Sequence, residues 1–153
     1  MSRKKCKRKV YQLINPISMA VLGACVSAEK PLNTLRLAEL SAIDEMVTGK
    51  GTTESWRWIA DCINIAETLG KMGVGPEALP LCQIAQQAML EAADRYQKTK
   101  RMGLSGKGIK AVKELWEIHD LQRTSVARSV YKSAILKTAN TIRSRGKDVV
   151  EIS

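Results

Sequence analysis

Glycine and proline cut this chain into helix-length pieces, and that constrains its fold more than any other feature. They cluster at Gly49 with Gly51, at Gly70, Gly73, Gly75 and Pro76, and at Gly103, Gly106 and Gly108. Each cluster is strong enough to end a helix. Glycine loses the most backbone entropy on ordering, and proline lacks the N–H that a helix interior needs. Between the clusters apolar residues return every three or four positions, the period of one helix face. No alternating run long enough for a strand occurs before the final Val149, Val150 and Ile152. The pattern predicts an all-α fold, a single compact bundle of five or six helices.

Asn15 and Pro16 have the form of an N-cap and first helical residue, so a short apolar helix is expected to about Val26. After Pro31 and Asn33, a helix from Thr34 to Val47 carries Leu37, Leu40, Ile43 and Val47 on one side and Leu35, Ala42 and Met46 on another. Two apolar sides imply burial between neighbours. Thr52 or Thr53 caps the next helix, the cleanest in the chain. Trp56, Ile59, Cys62, Ile63, Ala66 and Leu69 share one face, and Arg57, Asp61, Asn64, Glu67, Thr68 and Lys71 share the polar one. Pro80 starts or bends a helix running to about Lys98. Its inner stripe of Leu81, Ala85, Ala88, Met89, Ala92 and Tyr96 is small enough for close helix approach. Ser105 caps a helix with Ile109, Val112, Leu115 and Trp116 inward and His119 at the edge. A break near Arg123 to Ser125 precedes a last helix, about Val126 to Arg145, with Ala127, Val130, Tyr131, Ala134 and Ile142 inward.

At 153 residues, with 44% hydrophobic and 26% charged, the chain has the balance of one globular domain. Residues 1–10 read as a flexible basic arm and 11–153 as the helical domain. The longest apolar stretch, Ile17 to Val26, falls short of the ~18 residues a membrane span needs, so no membrane association is expected. A basic start before a short apolar segment also resembles a secretory signal, but the helix-start reading fits Asn15 and Pro16 better. Cys6, Cys25, Cys62 and Cys82 form no C-x-x-C pair and have one histidine among them, so no zinc site is expected. Free thiols on helix faces point to a reducing cytoplasm.

The net charge of +10 is unevenly spread. Residues 1–10 hold six basic side chains and no acidic one, 29–94 hold five against ten, and 95–153 hold fourteen against five. From Arg95 to Lys113 there are seven basic residues and no carboxylate. This polarity favours a polyanionic partner, DNA or RNA, or an acidic host protein. The candidate phosphate contacts are Arg3, Lys4, Lys5, Lys7, Arg8 and Lys9 in the arm, then Lys98, Lys100, Arg101, Lys107 and Lys110 around the glycine loop. Arg128, Lys132 and Arg143 add one face of the last helix. Backbone N–H groups of the glycine loop are expected to join these side chains at a phosphate. The bland alternative is a solvated, solubilising surface. A helix-turn-helix reading of the last two helices meets no glycine turn between Asp120 and Ser125.

No catalytic constellation is visible, and no enzyme activity or cofactor is expected. Gly103-Leu-Ser-Gly-Lys-Gly108 lacks the spacing and the preceding strand of a nucleotide loop. Glu114, Glu117, His119 and Asp120 form a conceivable ligand set, but Lys110 with Glu114 and Lys113 with Glu117 account for the acids as i, i+4 pairs.

The runs Arg8-Lys9-Val10-Tyr11 to Asn15-Pro16-Ile17, Leu37-Ala38-Glu39-Leu40, Trp56-Arg57-Trp58-Ile59-Ala60-Asp61 and Arg101-Met102-Gly103-Leu104 resemble small basic proteins encoded by prophages of Gram-negative bacteria. The resemblance covers most of the chain and brings no motif with an assigned role. It implies a phage-type accessory protein acting in the host cytoplasm, where such proteins bind nucleic acid or inhibit a host complex, including defence systems such as CRISPR. The leading expectation is therefore nucleic-acid binding through phosphates. A stoichiometric inhibitor or adaptor of a host protein is the alternative. A homodimer completing the burial of the aliphatic helices is a third reading.

Overall fold

A computed structural model describes residues 29–145, 150 and 152. The basic arm, the helix expected from Asn15 to Val26, and Cys6 and Cys25 lie outside the described residues. The glycine clusters end helices as the sequence suggests: α1 (Glu29–Val47), α2 (Thr53–Lys71), α3 (Ala78–Thr99), α4 (Gly106–Ser125) and α5 (Arg128–Arg145). Among the described residues the only β contact is an isolated bridge between Gly51 and Met102. No helix there is long and apolar enough to cross a membrane.

Local chemistry fixes the starts of α2 and α4. Thr52 and Ser55 form a reciprocal capping box at α2, each side chain accepting the other's backbone N–H. Ser105 accepts from the Gly108 N–H at α4. α1 begins at Glu29 rather than Thr34. Pro31 sits in its first turn, where a missing N–H costs nothing. Pro80 is placed likewise near the start of α3. α4 runs through the expected break to Ser125, leaving only Val126 and Ala127 between it and α5.

α2 is the central helix, packed against all four others, while α3 and α4 form a close pair and α1 also meets α4. The main core joins Trp56, Ile59, Ile63 and Ala66 of α2 to Ala85, Met89 and Ala92 of α3, with Val112 and Leu115 of α4. The Trp56 indole N–H donates to the Met89 carbonyl at 3.0 Å, which keeps a buried polar atom satisfied. A smaller core sets Leu35, Ile65 and Leu69 against Tyr131, Ala134, Ile135 and Ile142 of α5.

The polar face of α2 is covered rather than solvated. Asn64 and Glu67 are buried, and the Thr68 and Thr138 hydroxyls share a hydrogen bond of 2.6 Å between α2 and α5. On α1 the second expected side, Leu35, Ala42 and Met46, is buried throughout, together with Ile43 of the first. Leu37 and Leu40 of the first side are exposed, and Glu39 is turned inward at 4% exposure. Turned inward, Glu39 meets the buried guanidinium of Arg123.

Candidate functional site

Two features stand out, a basic edge at one end of the α3–α4 pair and a polar cluster buried between α1, α2 and α4. At the edge, Lys100 closes α3 in the left-handed conformation, with φ of 59°. Its ammonium lies 5.4 Å from the centre of the Tyr96 ring, a cation–π contact. Met102 and Leu104 pin the following loop into the core. Arg95 donates from Nη2 to the Gly103 carbonyl at 2.8 Å and so braces the loop. Lys98, Lys100, Arg101, Lys107, Lys110 and Lys113 surround it, all exposed.

Part of the loop's backbone is engaged within the protein. The Leu104 N–H donates to the Met46 carbonyl, and the Gly108 and Ile109 N–H groups to Ser105. The edge therefore presents side-chain cations on a fixed backbone. An open groove of about 240 Å³ beside it carries Lys107 and Ser105 with Glu91 on the opposite wall.

The expected surface is not one patch. Lys107 and Lys110 lie in the first turns of α4, whereas Arg128 follows its far end, about 30 Å away for a 20-residue helix. Arg128, Lys132 and Arg143 are exposed on one side of α5. Fifteen residues of helix spread them over about 22 Å. Arg3, Lys4, Lys5, Lys7, Arg8 and Lys9 lie outside the described residues.

The buried cluster centres on Glu39. Its carboxylate accepts both Arg123 guanidinium branches, Nη2 to Oε1 at 2.6 Å and Nη1 to Oε2 at 3.0 Å. It also accepts the Trp116 indole N–H at 3.2 Å and the Cys62 thiol at 2.8 Å. Arg123 donates from Nε to Asp120, which also receives Arg36 at 2.9 Å. Glu39 and Arg123 are both shielded from solvent, and the pair spans 84 residues of sequence.

Burial alone would push the Glu39 carboxyl up, but hydrogen bonds and charge from Arg123 hold it below the usual carboxylate range. Asp61 has no such partner. Burial, reinforced by the Glu39 charge, pushes it up to about 8. Burial also pushes the Cys62 thiol up, again with Glu39 adding to it.

His119 is fully buried rather than at the edge of its stripe. Burial, then the Arg123 charge, lower it to about 4, so its ring is neutral at pH 7. The geometry also fixes its tautomer. The Gln122 amide nitrogen donates to the carbonyls of Ala66, Val74 and Gly75, which turns its Oε1 toward His119 Nδ1 at 3.1 Å. An amide oxygen can only accept, so Nδ1 carries the proton and Nε2 a lone pair. That Nε2 is buried without a partner, as are Asp61 Oδ1 and the Asn64 side-chain amide.

One carboxylate oxygen of Glu39, the Cys62 sulfur and a ring nitrogen of His119 lie within 4.8 Å of one another. A cavity of about 10 Å³ adjoins them, walled by Ile43, Ile59, Ile63, Val112, Leu115 and Trp116. It is the size of a single water or ion and excludes an organic substrate. The conceivable set of Glu114, Glu117, His119 and Asp120 does not assemble. Glu114 and Glu117 are exposed, and Asp120 is engaged with the two arginines.

Sequence reasoning missed Glu39, Asp61, Gln122 and Arg123 as interior groups. Nothing local marked them: α1 carries Asp44 and Glu45 as well as Glu39, and its sequence does not say which carboxylate turns inward. Comparison with models of known families, with characterised proteins and with solved structures finds no match.

Proposed function

We propose that this all-α protein is a non-enzymatic, phage-type accessory factor that binds nucleic acid through phosphate contacts at the α3–α4 edge. The observation that carries this reading is the crowding of Lys98, Lys100, Arg101, Lys107, Lys110 and Lys113 around a loop held rigid by Met102, Leu104 and Arg95. Fixed cations on one edge pair with successive phosphates and read no base, so binding is expected without sequence preference. The α5 cations and the arm extend the contact along a polyanion.

The test is binding to random-sequence DNA and RNA across a range of salt. Each neutralised phosphate releases a counterion, so affinity falls steeply as salt rises. Changing Lys98, Lys100, Arg101 and Lys107 to alanine flattens the logarithmic slope by about one unit for each phosphate no longer neutralised. Stability falls by about 1 kcal/mol at most, through the lost Lys100–Tyr96 contact, because these side chains are exposed. An unchanged slope moves the binding surface to Arg128, Lys132 and Arg143, and no binding at low salt sinks the reading.

A second reading has its own observation. Leu37 and Leu121, which adjoin the Arg36–Asp120 pair in sequence, are 67% and 68% exposed. Large exposed leucines suit a protein partner, which favours the inhibitor or adaptor role. Pull-down of one stoichiometric host protein that Leu37→Glu abolishes supports that role over nucleic-acid binding.

A further inference from the structure

We infer that Glu39, Cys62 and His119 form a site for one zinc-class divalent cation, buried where α1, α2 and α4 meet. The inference is independent of the phosphate-binding reading. Three observations carry it: a donor set drawn together, an unused lone pair, and room for one small species.

The donor atoms come from positions 23 and 57 residues apart in sequence, yet lie within 4.8 Å of one another. Zinc bonds of about 2.0 Å to nitrogen or oxygen and 2.3 Å to sulfur ask for slightly closer spacing. Rotamer adjustment of under about an ångström per side chain supplies that. Within this donor set the unused lone pair is that of His119 Nε2, whereas the unpartnered Asp61 and Asn64 atoms lie outside it. A polar network with only a structural role leaves few such atoms, because each unpaired one forfeits its hydration. Nδ1 is committed to Gln122, and Gln122 is itself locked by three backbone carbonyls. An anchored Nδ1–H that leaves Nε2 free is how proteins orient a metal-binding histidine. Glu39 is oriented in the same way by Arg123 and Trp116.

Arg123 beside the cluster is the obvious objection to a dication, and the hydrogen bonds answer it. Oε2 of Glu39 accepts from two donors, Arg123 Nη1 and the Cys62 thiol. When the cation enters, the Cys62 S–H bond breaks, the proton leaves to solvent, and metal bonds form to Sγ, to Oε2 and to Nε2. Arg123 keeps both its bonds to Glu39. Thiolate and carboxylate neutralise the dication, and Asp120 balances the guanidinium through its bond to Nε. The cation occupies the small cavity, and these three side chains supply its protein ligands, as in three-ligand zinc sites. Nitrogen and sulfur donors disfavour magnesium and calcium, which take oxygen, whereas zinc accepts all three donor types.

The experiment uses the full-length chain, stripped with a chelator and titrated with Zn²⁺ alone by calorimetry in buffers of different ionisation enthalpy. One zinc per chain, release of about one proton per zinc, and a rise in Tm are expected. Co²⁺ in place of Zn²⁺ gives a thiolate-to-metal absorption band. Cys62→Ala abolishes that band, and Cys62→Ala and His119→Gln each weaken zinc binding by more than about 100-fold, beyond what removal of a group that only supports a ligand costs. The wild-type titration and cobalt spectrum decide the matter even if a variant fails to fold. A wild-type chain that takes up no zinc or shows no thiolate band overturns the site. So does zinc retained at full affinity by folded Cys62→Ala and His119→Gln, which would place the metal on other residues.

Discussion

Arg123 and Glu39 exchange two hydrogen bonds out of reach of water, and each is what makes the other tolerable there. A buried charge without its partner keeps the full desolvation penalty, whereas an apolar pair of similar volume has none to meet. In the metal-free protein, Arg123→Met is therefore expected to cost about 3–5 kcal/mol, because Glu39 is left buried without its counter-charge, with only the Trp116 and Cys62 donors. Adding Glu39→Met is expected to recover most of that loss. Urea denaturation of the two single variants and the double variant measures the coupling. A double variant as unstable as Arg123→Met alone would mean that shape, not charge, holds α1 to α4.

Where α3 meets α4, one glycine faces one alanine at close range. A Cβ built on Gly108 would lie 2.6 Å from the Ala88 Cβ, so the helices must part or the backbone must shift. Gly108→Ala gains about 1 kcal/mol of helix propensity at most, while overpacking typically costs about 1–3 kcal/mol, so net destabilisation is expected. Combining it with Ala88→Gly should restore the fit, and chemical denaturation of both variants checks this. The alanine-rich stripe of α3 announced such close packing in the sequence. Its partner did not, because Gly108 reads as loop punctuation until Ser105 caps the helix before it. The rotation of α1 was hidden for a related reason. Periodicity finds an apolar face by counting, and α1 offered two, so the sequence did not say that Glu39 between them would meet Arg123.

For the molecule as a whole, α2 carries the fold: every other helix packs on it, while α5 packs chiefly on α2 alone. Native-state hydrogen exchange is expected to find the slowest amides in α2 and faster ones throughout α5, whose detachment would uncover the face of a single neighbour. Equal protection of the two would contradict that order. By itself the sequence determined the helical class, the helix ends at the glycine clusters, and the crowding of basic residues around the third glycine cluster. Those depend on properties local to a few residues: backbone entropy, capping and repeat period. Only the tertiary structure decided which α1 face turned inward, that α5 covers the polar face of α2, that the basic residues fall at separate ends, and that Glu39, Cys62 and His119 converge. Burial is a property of what lies opposite, and for these residues what lies opposite comes from another helix, as many as 84 positions away.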